Sequence, residues 1–143
     1  MGNGAVGIVG MNANTKTARV VQALNSWKKR SFEYGKSDCC KFAAHVLTEI
    51  TGRDYIARFQ YHNMDEAAAL IQQHGSLSGL VSHALGVKPD SNYIDGDPVM
   101  LRLRTVGDAM GIKLGEYAVC LTSKGLTRIH HRHIIKGWSV CHQ

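Results

Sequence analysis

No stretch of the chain approaches about 18 consecutive apolar residues, so no membrane span is expected. There is no C-x-x-C pair and no H-E-x-x-H, which removes the usual spacing signatures of zinc sites. No repeat recurs at periods of about 20–50 residues, so a solenoid is excluded. The opening "MGNGAVGIVGMNANTK" lacks a basic n-region and an A-x-A site, so no secretion signal is expected. Val6 stands where a myristoylation signal needs Ser or Thr. Without a secretion signal, Cys39, Cys40, Cys120 and Cys141 are expected to be reduced thiols in a protein made in the cytoplasm. A zinc or iron–sulfur centre would need the fold to gather these cysteines. No metal and no cofactor is expected.

What is present is ordinary for one soluble domain: 143 residues, 44% apolar and 20% charged. That length buries a core without metals or disulfides. The formal charge of +6 permits attraction to nucleic acid, an anionic wall polymer or an acidic protein face. The basic residues are scattered, however, apart from Lys28-Lys29-Arg30. A solubilising surface is the plainer reading, and no specific nucleic-acid partner is expected.

Residues 1–13 are Gly-rich and are expected to form a flexible or partner-bound arm, with a single domain over 14–143. An amphipathic helix is expected from Thr15, with Val20, Val21, Leu24 and Trp27 on one stripe and basic residues near its end. Asp38 or Ser37 can cap the next helix, expected over Cys39 to Thr51. Its apolar stripe is Cys39, Phe42, Ala43, Val46, Leu47 and Ile50, and Gly52 stops it. "MDEAAALIQQHG" and "SLSGLVSHALG" read as two more helices, ending at Gly75 and Gly86. The character then changes. Asp95-Gly96-Asp97-Pro98 is a turn, and Val99, Leu101 and Leu103 alternate after it. "AMGIKLGEYAVCLTSKGLTRIHH" continues as short strands, and "GWSVCHQ" is a candidate last strand. Helices first and strands later predict an α+β fold, with helices packed on one antiparallel sheet.

Few motifs carry chemistry. "GNGAVG" at 2–7 matches a dinucleotide fingerprint but has no strand before it. "HHRH" at 130–133 would put His131 and His133 on one face of a strand, yet no acid or cysteine joins them. A polar strand or loop is the plain reading. "YGKSDCCKF" at 34–42 is sharper. A thiol at Cys39, in the first turn of a helix, sees unpaired N–H groups and the positive end of the dipole, which favour thiolate. The competing reading is a small buried residue at a helix start. Cys40 lies about 100° further round the helix, so the two thiols face different directions.

"DCCKF", "GDPVML" and "AMGIKLG" together resemble the NlpC-type cell-wall cysteine peptidases of papain-like fold. In that family the motifs run Asp-Cys-Ser-x-Phe, Gly-Asp-x-x-x-Phe and His-Val-Gly-Ile-x-x-Gly. A fuller ordered set is similar to small phage and prophage proteins of that superfamily, encoded among tail genes. It comprises Trp27, Arg30, Phe32, Tyr34, Gly35, Asp38, Cys39, Phe42, Ala43 and Ala44, followed by Thr51-Gly52, Tyr61, Gly96-Asp97, Gly111-Ile112 with Gly115, Gly125-Leu126 and Trp138-Ser139-Val140.

The resemblance implies a papain-like α+β domain with Cys39 in the nucleophile position. It also implies a tail or tail-tip component, carried in the virion and made in the host bacterium. Other tail proteins would be its partners, docked through residues 1–13, and peptidoglycan its potential contact. The peptidases place their base histidine directly before Val-Gly-Ile, where this chain has Ala109. Their orienting residue lies on the following strand, which here reads "YAVCL" and includes Val119 and Cys120. A degenerate peptidase site in a structural or assembly protein is therefore expected. The alternative is an active peptidoglycan peptidase or amidase with His130, His131 or His133 as base. A metal-binding module is the third reading.

Overall fold

The computed structural model describes residues 16–33, 35–104 and 107–141. The expected arm at 1–13, Thr15 and Tyr34 lie outside these residues. Among the described residues four α-helices come first: α1 (Lys16–Asn25), α2 (Cys39–Thr51), α3 (Met64–Gln73) and α4 (Leu77–Leu85). Five strands follow: β1 (Pro98–Leu103), β2 (Gly107–Leu114), β3 (Tyr117–Thr122), β4 (Gly125–His130) and β5 (Ile134–Gly137). They form one antiparallel sheet in the order β4-β3-β2-β1-β5. The α+β class expected from the sequence is the class observed.

Helix α2 is the central element. Phe42, Ala44 and Val46 are inaccessible, and the helix lies on the face of β2 and β3 that carries Met110, Ile112, Val119 and Leu121. The apolar spacing explains this face, and Gly52, in the left-handed conformation, ends the helix where it was expected to end. Cys40 belongs to the buried set, while Cys39 is half-buried. The thiols of the stripe are thus exchanged relative to the expected pattern.

Helix α1 stops at Asn25, before Trp27. Trp27 nonetheless reaches the core from the following turn, edge-on to Phe42 at 5.5 Å, with the Arg30 guanidinium 4.3 Å over its ring. Lys28 and Lys29 therefore lie beyond the helix, not in its last turn. The expected last strand in "GWSVCHQ" is also displaced. The last strand is β5, and Trp138 and Val140 are buried in irregular backbone after it.

The sheet is strongly curled. Only residues 131–133, a single 3-10 turn, separate the end of β4 from the start of β5, although these strands are the two edges. Four peptide units span at most about 15 Å. Four inter-strand spacings of a flat sheet need about 19 Å. The edges must therefore approach each other. A second cluster of mostly small residues lines the face away from α2: Val99, Leu101, Ala109, Ala118 and Cys120, with Tyr93, Leu103, Ile129 and Ile134 packed against it. Small residues suit the inside of such a curl. Gly111 faces the same way, and a Cβ there would come within 2.9 Å of the Val119 carbonyl oxygen.

Asp97 holds the two ends of the β region together. Its carboxylate is fully buried and accepts the N–H groups of Val140 (2.9 Å) and Cys141 (2.8 Å) on one oxygen, and of Ile94 (2.8 Å) on the other. The backbone of Asp97 also pairs with Ile94 and Lys113. This is what the Gly-Asp turn does structurally. Asp97→Ala leaves the buried Val140 N–H and the partly buried Ile94 and Cys141 N–H groups without their acceptor, at about 1–3 kcal/mol for a donor that water cannot reach. The expected loss is at least about 2 kcal/mol in urea unfolding; a variant within about 0.5 kcal/mol of wild type would refute the clamp.

Candidate active site at the start of the second helix

The site begins with a tight turn. Gly35 has φ +87°, and a Cβ built there would lie 2.1 Å from the backbone of His62. Only glycine permits this approach. The turn brings the Gly35 N–H onto Asp38 Oδ2 at 2.8 Å. Asp38, not Ser37, caps α2: its Oδ1 accepts the Lys41 N–H at 2.9 Å. The same oxygen accepts the Tyr61 hydroxyl at 2.7 Å. Ser37 instead donates its hydroxyl to the Ser31 carbonyl. Burial, followed by the neighbouring Cys40 and Asp38, pushes the Tyr61 phenol well above its ordinary value, so it remains a donor. Lys41 completes the group, with its ammonium 4.6 Å over the Tyr61 ring and bonded to the Phe59 carbonyl.

This network places Cys39 at a fork in the sheet. β2 pairs with β1 from Pro98↔Ile112 to Leu103↔Gly107, but with β3 only from Ile112↔Val119 to Leu114↔Tyr117. Beyond Ile112 the strands β2 and β3 part. There the Met110 N–H points to Cys39 Sγ at 3.5 Å. Cys39 packs against both clusters, including the one that holds Ala109 and Cys120.

The electrostatics favour charge on this sulfur. The Cys39 thiol is lowered from its ordinary value, first by the Cys40 S–H, against the opposing effect of burial, with help from the Met110 N–H. Cys40 is raised well above the ordinary value because it donates to Cys39 and is buried. Cys120 is raised as well, by burial and then by Cys39. The pair Cys39–Cys40 therefore loses its first proton at Cys39.

Among the described residues, no imidazole is among the groups that act on Cys39. His130 ends β4 opposite Tyr117, at the hairpin end of the sheet. From Leu114 at that end to Met110 at the fork is about 13 Å along β2. The His130 ring stacks on His131 (4.4 Å), and its Nδ1 accepts the Arg132 N–H (3.1 Å). His131 is tied to the same end, its backbone N–H bonded to the Glu116 carbonyl. His133 precedes Ile134, which lies in the row of Leu101 and Ala109 but two strands from β2. Its Nε2 faces Arg132 Nε at 3.4 Å. Within "HHRH", His130 ends β4 and residues 131–133 form a 3-10 turn joining two strands, so His131 and His133 do not share a strand face. Among the described residues no three His, Cys, Asp or Glu side chains form a metal-binding group.

A cleft of about 700 Å³ lies between α1 and the β2–β4 face, lined by Val21, Leu24, Leu114, Val119, Leu126 and Arg128. Cys39 is not among its lining residues. Two residues of the site had signals in the sequence but no role there. Tyr61 stood in the ordered motif set, yet its bond to Asp38 spans 23 positions. Cys120 was noted as the wrong residue type for an orienting partner, not as a neighbouring thiol.

Residues 11–140 match the family described as a domain of unknown function, DUF6950. The chain belongs to that family. No curated protein matches the chain. The DUF6950 match spans every residue of the site, from the Gly35 turn to Cys120, so the thiol fork lies wholly within the family domain.

Two predictions follow from this geometry. Gly35→Ala forces a backbone clash and disturbs the donor to Asp38; a loss of at least about 2 kcal/mol is expected in denaturant unfolding, and a neutral variant would contradict the close approach. Thiolate is the form that alkylates, so a lowered Cys39 shifts its iodoacetamide rate profile to lower pH. Its midpoint in the folded protein should fall below that of an ordinary thiol, about 8.5, and return there in denaturant. A midpoint at or above that value in the folded protein would rule out the proposed stabilisation.

Proposed function

We propose that this chain is a structural or assembly component of a bacteriophage or prophage tail, with a papain-like NlpC-type fold and a cysteine-peptidase site that no longer hydrolyses. The observation that carries the second half is the pairing of Cys39 with Ala109. The two share one packed cluster at the β2–β3 fork, and Ala109 occupies the motif position of the base histidine. Acyl transfer to an attacking thiol also needs a proton for the leaving amine. Alanine has none to give, and Cys120 on the next strand holds its proton tightly.

The papain-like assignment is supported by the cysteine at the start of a central helix laid on a curled antiparallel sheet. The tail assignment rests on the ordered motifs from Trp27 to Val140. On this reading the partners are neighbouring tail proteins, reached in part through residues 1–13, and the chain resides in the virion after synthesis in the host.

A second reading, an active peptidoglycan peptidase or amidase, draws on one observation: the Cys39 sulfur is set up to be a thiolate. Both readings meet the same experiment. Purified peptidoglycan incubated with wild type and with Cys39→Ala should release equally little soluble material. Release that depends on Cys39 would overturn the degenerate-site reading. Proteomics of purified particles should find the chain in stoichiometric amount; its absence from particles would overturn the tail reading.

A further inference from the structure

The fork holds more sulfur than a peptidase site requires. Cys39 packs against two clusters, one holding Cys40 and the other Cys120, and none of the protein's cysteines is in a disulfide. We propose that Cys39 and Cys120 are an oxidation site, in which a peroxide converts Cys39 to a sulfenic acid and Cys120 resolves it to an intramolecular disulfide. This does not rest on the tail reading. It uses the thiol that Ala109 leaves without a base.

The geometry selects the partners. Of the three, Cys39 is the one that is partly exposed, whereas Cys40 and Cys120 are buried. The Met110 N–H at 3.5 Å supports negative charge on its sulfur, and thiolate character with exposure sets oxidation susceptibility. Cys40 is a neighbour but a poor partner. Adjacent Cα atoms across a trans peptide are about 3.8 Å apart, below the roughly 4.4–6.8 Å that disulfides adopt. The helix also turns successive side chains about 100° apart. Cys141 packs against the other cluster, on the helix side. Cys120 remains: it shares the inner cluster with Cys39, from the strand on the far side of the fork.

The chemistry balances in two steps. The Cys39 thiolate attacks one peroxide oxygen, the O–O bond breaks, and hydroxide leaves to take up the proton that Cys39 released. The Cys120 sulfur then attacks the Cys39 sulfur, the S–O bond breaks, and the departing hydroxide takes the Cys120 proton as water. Two thiols lose two electrons in all, and the peroxide becomes two waters.

The test uses the folded full chain and hydrogen peroxide. After oxidation, remaining thiols are blocked in denaturant, and the digest is mapped by mass spectrometry. The expected result is a monomer that has lost two of its four alkylatable thiols, with Cys39 and Cys120 peptides linked. Cys40→Ser and Cys141→Ser should keep the link. Cys39→Ser and Cys120→Ser should abolish it, and Cys120→Ala serves where serine is not tolerated in the apolar cluster. Circular dichroism confirms that each variant is folded. A Cys39–Cys40 link, an intermolecular dimer, or Cys39 sulfinic acid with Cys120 still alkylatable would each overturn the proposal. Peptidoglycan release reports on hydrolysis alone, so failure of one reading is distinct from failure of the other.

Discussion

Asp38 is buried, and three donors divide its two oxygens: the Gly35 and Lys41 N–H groups and the Tyr61 hydroxyl. A carboxylate removed from water needs such compensation. Two of the three donors come from the chain on either side of it, and the third comes from the loop before α3. The bond network therefore sets where α2 begins and how the chain enters it. Without the Gly35 turn the carboxylate would lose a donor, and without the carboxylate the first helical turn would lose its acceptor. The position of Cys39, one residue on, is a consequence. The first residue of a helix so anchored has little freedom, and its sulfur falls at the gap between β2 and β3.

The gap itself lies in a sheet whose edges are joined by a three-residue turn and must therefore curl toward each other. β2 and β3 stay paired near their hairpin and part beyond Ile112. Met110 then has a backbone N–H with no strand partner on that side. In the fold this donor is met by sulfur. Asp97 acts at the other end of the same construction. By tying Ile94 to Val140 and Cys141 it fixes the chain entering β1 against the chain leaving β5. Two buried aspartates, one per half of the chain, thus hold the helix start and the sheet closure.

Local pattern explains why much of this was legible in advance. The α2 stripe, its Asp38 or Ser37 cap and its Gly52 stop are signals within one or two helical turns, and they match the observed bounds. The two helices expected before Gly75 and Gly86 are likewise observed as α3 and α4, with Asn63 and Ser76 as caps not singled out from the sequence. What was not legible depends on contacts distant in the chain. The apolar residues after Asn25 predict a longer α1, but Trp27 is drawn into the core by Phe42 from a turn. "GWSVCHQ" has strand-like composition, yet Trp138 to Cys141 is spent on covering the core and on Asp97, and the strand falls earlier. "HHRH" could not be read as the strand joint because nothing local states that the sheet is curled. At the site, Cys39 and the alanine at 109 were both readable. The exchange of burial between Cys39 and Cys40, and the approach of Cys120, were not, because they depend on the fork.

The distinction between what the fold supplies and what a catalytic residue supplies runs through this site. The Cys39 sulfur is stabilised by a helix start, a backbone N–H left over from a parted ladder, and a neighbouring S–H. The first two are properties of the architecture and survive almost any change of side chain. A base is different: it is one side chain at one position, and on the proposed peptidase reading that position is Ala109. A chain of this fold can therefore lose general base catalysis by a single replacement and still present an activated thiol. The chemistry left to such a thiol is that which requires nucleophilic sulfur but no proton relay to a leaving amine. Reaction with a peroxide is of that kind, because the leaving group is hydroxide, and a second thiol rather than an imidazole completes it. That second thiol stands on β3, where the resemblance places the orienting residue of the peptidases.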